Sequence, residues 1–173
     1  QDITIVDTPG MSDLLKAFDE QVADYLVNAD AIIYVVSARS PLSYTEQAFL
    51  STTIMPQSFF RVFLVINMAD TLETEENLIK VKELVEDRAK TISDKIYVYI
   101  LSALDEYCRK RGLNRPEHEL TEVLENNFLE FESAIQNDIL FQKNIIKSTR
   151  GIALTQNLLD EIVSRITLIQ TSL

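Results

Sequence analysis

The sequence predicts an α/β fold, a doubly wound parallel sheet followed by a long helix. Three observations carry that expectation. Short runs rich in β-branched and aromatic residues recur along the chain, at Ile3–Val6, Ala31–Val36, Phe59–Ile66 and Lys95–Leu101. Amphipathic stretches with brief connections separate them, the alternation that a parallel sheet covered by helices requires. From Asn137 onward apolar residues fall at helical spacings almost without a break.

The first run ends abruptly at Asp7-Thr8-Pro9-Gly10. Such a sequence makes a good β-turn, and ending a strand is one complete account of it. The other account is chemical. An Asp at the carboxyl end of a parallel strand can hold a water on Mg²⁺, and a Gly three residues on brings its N–H to a phosphate oxygen with no Cβ in the way. Leu14, Leu15, Phe18, Val22, Leu26 and Val27 then predict a helix, with Ser12 or Asp13 as its N-cap.

Ala31 to Val36 is continuously apolar, as in a strand buried on both faces. Ser40-Pro41-Leu42-Ser43 punctuates the chain, and Tyr44 to Thr52 reads as a helix capped by Ser43 and ended by the approach of Pro56. Phe59 to Ile66 is the next strand and runs into Asn67-Met68-Ala69-Asp70. Thr71 to Thr91 is an amphipathic helix with Leu78, Val81, Leu84 and Val85 on one face, and the acids of Glu73–Glu76 suit the positive end of its dipole. Lys95 to Leu101 is the fourth strand, ending in Ser102-Ala103.

Ligands of doubly wound sheets bind beyond the carboxyl ends of the strands, and each motif sits at such an end. Their order, Asp-x-x-Gly, Asn-x-x-Asp and Ser-Ala, resembles the guanine-nucleotide-binding signature, and the resemblance implies that Asp70 can accept two parallel hydrogen bonds from guanine N1–H and the exocyclic amine, a pairing adenine cannot make. The Asn67 amide can meet the purine edge and tie neighbouring loops together. The Ala103 N–H can donate to guanine O6, with Ser102 bracing its loop. The competing account is that Asn67 and Asp70 cap the helix that follows, since both residue types favour caps.

Composition sets bounds on these readings. With 173 residues, 46% hydrophobic and 25% charged, the chain can bury a core. A net charge of −11 argues against nucleic-acid and anionic-lipid binding by this segment. A lone Cys108 excludes an internal disulfide framework and fits a reducing, cytoplasmic setting, with the thiol as packing. No apolar run approaches the roughly 18 to 20 residues of a membrane span. His118 lies in a charged stretch and reads as a surface residue without a partner, and no His/Cys metal cluster or nucleophile–base pair is visible.

The order Asp-x-x-Gly, Asn-x-x-Asp, Ser-Ala resembles the guanine-nucleotide-binding motifs of P-loop GTPases. Asp7-Thr8-Pro9-Gly10-Met11-Ser12-Asp13, Ala29-Asp30-Ala31, and Ser40-Pro41-Leu42-Ser43 with Glu46 and Phe49-Leu50 narrow that resemblance to the dynamin superfamily, near its bacterial dynamin-like and mitofusin-like branch. The resemblance implies a GTP-binding set of Asp7, Gly10, Asn67, Met68, Asp70, Ser102 and Ala103, with Asp7 reaching Mg²⁺ through water. It implies residues 1–136 as the C-terminal part of a GTPase domain, Phe128-Leu129-Glu130-Phe131 introducing its last helix, and residues 137–173 as the start of a helical neck, with Gly151 marking a bend.

For the parent protein the resemblance implies a GTP hydrolase that remodels membranes. It would act as a homodimer through its GTPase domains, be cytoplasmic with peripheral membrane association, and meet lipids through downstream regions. Met68 stands where the family usually has Lys, which predicts weaker nucleotide affinity with guanine selectivity kept. The P-loop G-x-x-x-x-G-K-[ST] and the switch threonine do not occur in these residues, so no catalytic residue is expected here and this chain alone should not hydrolyse GTP. The opening on Gln in mid-strand predicts a piece of a longer chain. The strand that precedes the P-loop in the family would leave a gap, so the first strand should pair directly with the second or be poorly held. The alternative for the whole is a degenerate, non-catalytic GTPase-like module that scaffolds through its helices.

Overall fold

The computed structural model describes residues 4–8, 26, 29, 31–59, 61–140 and 143–171. Three strands form one parallel sheet in sequential order: β1 (Ile32–Ser37), β2 (Val62–Asn67) and β3 (Ile96–Ile100). The register runs Ile32 to Val62 and Ser37 to Asn67 on one side, and Val62 to Ile96 and Ile66 to Ile100 on the other. All three strands therefore end at one rim.

Five α-helices accompany the sheet among the described elements: α1 (Tyr44–Phe49), α2 (Glu75–Ile92), α3 (Ala103–Arg111), α4 (Thr121–Ile135) and α5 (Lys143–Thr171). Ser43 caps α1 in a capping box, its hydroxyl accepting from the Glu46 N–H at 3.5 Å while Glu46 Oε2 accepts from the Ser43 N–H at 2.6 Å. The helix continues as a π-helical run, Leu50–Ile54, and a 3₁₀ turn, Met55–Gln57, that contains Pro56.

The core has two faces because β2 alternates. Val62, Leu64 and Ile66 pack with Val36, Ile96 and Ile100 against Leu78, Val85 and Ala89 of α2, with Leu42, Leu50, Ile54 and Phe59 alongside. Phe63 and Val65 pack with Tyr99 and Leu101 against Phe128, Phe131 and Ile135 of α4. The Tyr99 and Phe131 rings lie 5.3 Å apart and Phe63 and Phe131 6.4 Å apart, the latter edge to face. Helices cover both faces of β2, as the doubly wound expectation requires.

Several expectations are corrected. Thr4 to Thr8 form no strand and are exposed, Ile5 at 87%, so the buried strand expected there is not formed over these residues, and of the two outcomes expected for it direct pairing with the second strand is the one not seen. A run of β-branched residues makes a strand only where a neighbouring strand takes up its backbone groups. The strand over Ala31–Val36 is not buried on both faces. Ile33 and Val35 are exposed, because β1 stands at one end of the described sheet and its outward face has no helix over it among the described residues.

Phe128–Phe131 does not introduce a helix but lies within α4, whose start at Thr121 the aromatic cluster concealed. Gly151 lies inside α5, and the winding changes at a π-helical run, Gln136–Leu140, where Asp138 pairs with Arg61. The helix predicted over Leu14–Val27 lies almost wholly outside the described residues. Leu26, which is described, is helical and buried.

Candidate functional site

The rim where the strands end is tied by backbone hydrogen bonds before any side chain acts. The Ala38 N–H donates to Asn67 O at 2.8 Å, and the Ala69 N–H to Leu101 O at 3.2 Å. The loops after the three strands are thus stitched pairwise to the ends of neighbouring strands.

Asn67, the last residue of β2, adds a second stitch. Its Oδ1 accepts the Met68 N–H at 2.8 Å and the Ala103 N–H at 3.0 Å. One carbonyl oxygen with two lone pairs is filled by two donors from two loops, which leaves the Nδ2 hydrogens as the donors that an incoming acceptor would meet. Met68 has φ +66°, an uncommon left-handed conformation for a residue with a side chain. Its half-exposed thioether lies 3.5 Å from the donating Ser37 hydroxyl at the end of β1. Strained backbone of this kind concentrates at functional sites, and here it falls between the Asn and the Asp.

Asp70 lies in a 3₁₀ turn, Ala69–Thr71, with Ala69 buried beneath it. Neither Asn67 nor Asp70 caps the following helix. Thr74 does so, its hydroxyl accepting from the Asn77 N–H at 3.2 Å. The capping account of the Asn-x-x-Asp spacing is therefore set aside. Ser102, buried at the end of β3, caps α3 by accepting from the Asp105 N–H at 3.1 Å, and so fixes the turn that presents the exposed Ala103.

Five of the seven sequence-predicted residues, Asn67, Met68, Asp70, Ser102 and Ala103, thus sit in two loops joined through the Asn67 side chain. Asp7 is exposed within Thr4–Thr8, and Gly10 lies outside the described residues. Among the described residues no three His, Cys, Asp or Glu side chains converge to hold a metal. A lone carboxylate at Asp7 fits the water-mediated role of a Mg²⁺ that takes its other oxygens elsewhere, and fits no all-protein cage.

Sequence reasoning missed an ionic cluster behind this rim. His118 is not a solvated surface residue: its side chain is only 5% exposed, its Nδ1 accepts the Leu120 N–H at 3.2 Å, and its Nε2 lies 3.6 Å from Asp105 Oδ1. Asp105 is itself 2% exposed and takes a fork from Arg115, at 2.8 and 2.6 Å. The hydrogen bonds from Arg115 hold the Asp105 carboxyl below its usual range. Those from Arg109 do the same for Glu106, which is also buried. The one available signal was two adjacent acids directly after Ser-Ala-Leu with Arg109 and Arg115 downstream. Cys108 is buried, consistent with packing.

A sequence model described as the dynamin family matches residues 1–70, up to and including Asp70. The chain is 31% identical over 98 residues to dynamin-like protein A of Bacillus subtilis, covering 55% of this chain and 8% of that protein. It is 28% identical over 106 residues to a probable chloroplastic transmembrane GTPase, FZO-like, of Arabidopsis thaliana, covering 60% of this chain and 11% of that one.

These matches together support a dynamin-superfamily GTPase fragment.

A solved structure of an oligomerised bacterial dynamin pair, described as a mechanism for long-range sensing and tethering of membranes, superposes over 96% of this chain and 25% of its own, at 19% identity and a TM-score of 0.56. That likeness establishes the fold, P-loop-GTPase-like α/β. The chain spans 35%, 11% and 8% of the length of three curated relatives that it matches. No helix among its described residues is long and apolar enough to cross a membrane.

Proposed function

We propose that these residues form part of a dynamin-like GTPase that binds and hydrolyses GTP and couples the cycle to membrane remodelling. The observation that carries the reading is Asn67 Oδ1 holding the Met68 and Ala103 N–H groups together, which gathers the base-reading residues at one rim. Asp70 would accept guanine N1–H and the exocyclic amine, Asn67 Nδ2 would meet the ring edge, and Ala103 N–H would reach O6. An oxygen arriving at Ala103 would share that N–H with Asn67 as a three-centre bond. Ser102 braces the loop, and the Met68 thioether supplies apolar contact along the base in place of a Lys stem.

At the other end of the nucleotide, Asp7 would hold a water of Mg²⁺ and Gly10 would approach the terminal phosphate. When bound, the ion would neutralise charge on the phosphates. Residues 1–136 would then be the C-terminal part of the GTPase domain and 137–173 the start of the neck. Homodimerisation through GTPase domains, lipid contact through other regions, and a cytoplasmic, peripherally membrane-associated parent belong to the same proposal. A net charge of −11 argues against a nucleic-acid partner. Met68 also favours a second reading, a non-catalytic GTPase-like module, because no ammonium stands at that position.

The decisive experiment is a base swap in the full-length protein. Asp70→Asn replaces one acceptor by a donor, so it should favour xanthosine diphosphate, whose C2 oxygen accepts, over guanosine diphosphate. The ratio of the two dissociation constants should shift by roughly 100-fold, the worth of two mismatched hydrogen bonds, measured by calorimetry. An unchanged ratio would sink the guanine site. Calorimetry that detects neither nucleotide on the wild type favours the scaffold module.

A further inference from the structure

The first turn of α3 has an unusual support. Ala103, Leu104 and Tyr107 are exposed, while the buried side of the same turn is made of two acids, Asp105 and Glu106. Apolar packing therefore does little to fix where the helix begins, and ions do it instead. Arg115, from the loop after α3, sends Nε and Nη2 to the two Asp105 oxygens and Nη1 to Glu125 Oε2 of α4 at 3.1 Å. Arg109 forks onto Glu106 at 2.7 Å twice and reaches Glu125 Oε1 at 3.3 Å. Glu125 thus gathers both cations, and His118 closes the buried side of Asp105.

Asp105 is also the residue whose N–H the Ser102 hydroxyl caps, two positions after the Ala103 N–H that Asn67 accepts. From this connection we infer that Arg115 is a positioning residue for the base-reading loop: by clamping Asp105 to Glu125 it sets the place of the Ala103 N–H relative to Asn67. The base-contacting role of Ala103 rests on the function proposed above; the clamp itself does not. A bidentate Arg–carboxylate pair is directional in a way that a Lys is not, so charge alone would not replace it.

The test is amide hydrogen exchange by NMR on the 173-residue chain, with nucleotide titration on the full-length protein. Arg115→Met should speed exchange of the Ala103 amide at least about tenfold, Arg115→Lys should do so by less, and the amides of Phe63 to Ile66 should keep their protection. Arg111→Met, which removes a cation facing Tyr107 outside the cluster, should change none of these. Wild-type exchange at Ala103 in Arg115→Met overturns the inference. So does an equal acceleration at Ala103 and in β2, which would mean general destabilisation.

Should Arg115→Met fail to fold, Glu125→Gln gives the same readout with a smaller rise, and no rise there overturns the clamp. In the full-length protein Arg115→Met should weaken guanosine diphosphate binding by roughly tenfold, the worth of one displaced hydrogen bond. If the wild type binds no nucleotide, the base-site reading fails by itself, and the clamp stands or falls on exchange at Ala103.

Discussion

Strand β2 and helix α5 are built from the same aliphatic residues and treat them in opposite ways. Val62 to Ile66 bury every side chain, none more than 3% exposed, between helices on both faces. Along α5, Ile152 is 71% exposed and Leu158, Leu159, Ile162, Val163, Ile166 and Ile169 are exposed with it. Residues of the same type therefore stabilise one element more than the other, because the gain comes from area removed from water rather than from residue type. The sheet is held by buried apolar area, whereas the described contacts of the helix include side-chain pairs along it, such as Glu161 with Arg165 at 2.6 Å, and a hydrogen bond from Asn157 Nδ2 to the Ser58 hydroxyl at 2.9 Å.

That contrast can be broken by mutation. Phe63→Ala, at a fully buried position against Tyr99 and Phe131, should cost about 3 to 5 kcal/mol in denaturant unfolding of the 173-residue chain. A loss below about 1 kcal/mol would mean that β2 is not the core.

Acid should come next in size. Asp105 and Glu106 have carboxyls held below their ordinary values of 3.8 and 4.5, first by hydrogen bonds from Arg115 and Arg109 respectively. A depressed folded-state pKa gives stability that is complete above those ordinary values and is lost as pH falls through the lower, folded ones. The unfolding midpoint should thus hold down to about pH 5 and then drop. In Asp105→Asn the drop should be shallower, and an identical slope would remove Asp105 from the account.

The smallest effect belongs to the helix. Ile162→Ser should change the stability of the same chain by no more than about 0.5 kcal/mol, as an exposed substitution does. A loss of 2 kcal/mol or more would show that the face is covered in solution.

The contrast also explains what could be read in advance. Three of the four expected strands were legible because a continuous apolar run between turn residues has few other uses, and Ser43 was legible as a cap because Glu46 follows at the capping-box spacing. The strand over Ile3–Val6 was legible as a pattern only, since a strand needs a neighbour and sequence does not supply one. Burial of His118 was hidden for a similar reason. Its surroundings are Asp105 and the backbone at Leu120, and charged residues beside it in sequence say nothing about ions thirteen positions away. At the rim the spacing located Asn67 and Ala103, but only coordinates reveal that a single oxygen accepts from both loops.

Strand β2 is held by side chains at both of its ends. Asn67 joins the two loops at its exit, and Arg61, at its entry, lies over the Tyr97 ring at 3.9 Å and pairs with Asp138 in the π-helical run that leads toward α5. Six residues of strand span about 20 Å and stretch very little. A pull on the long helix would thus be delivered to the floor of the sheet, opposite the loops, and would reach those loops as a shift of the whole strand, like a rod pushed from its far end.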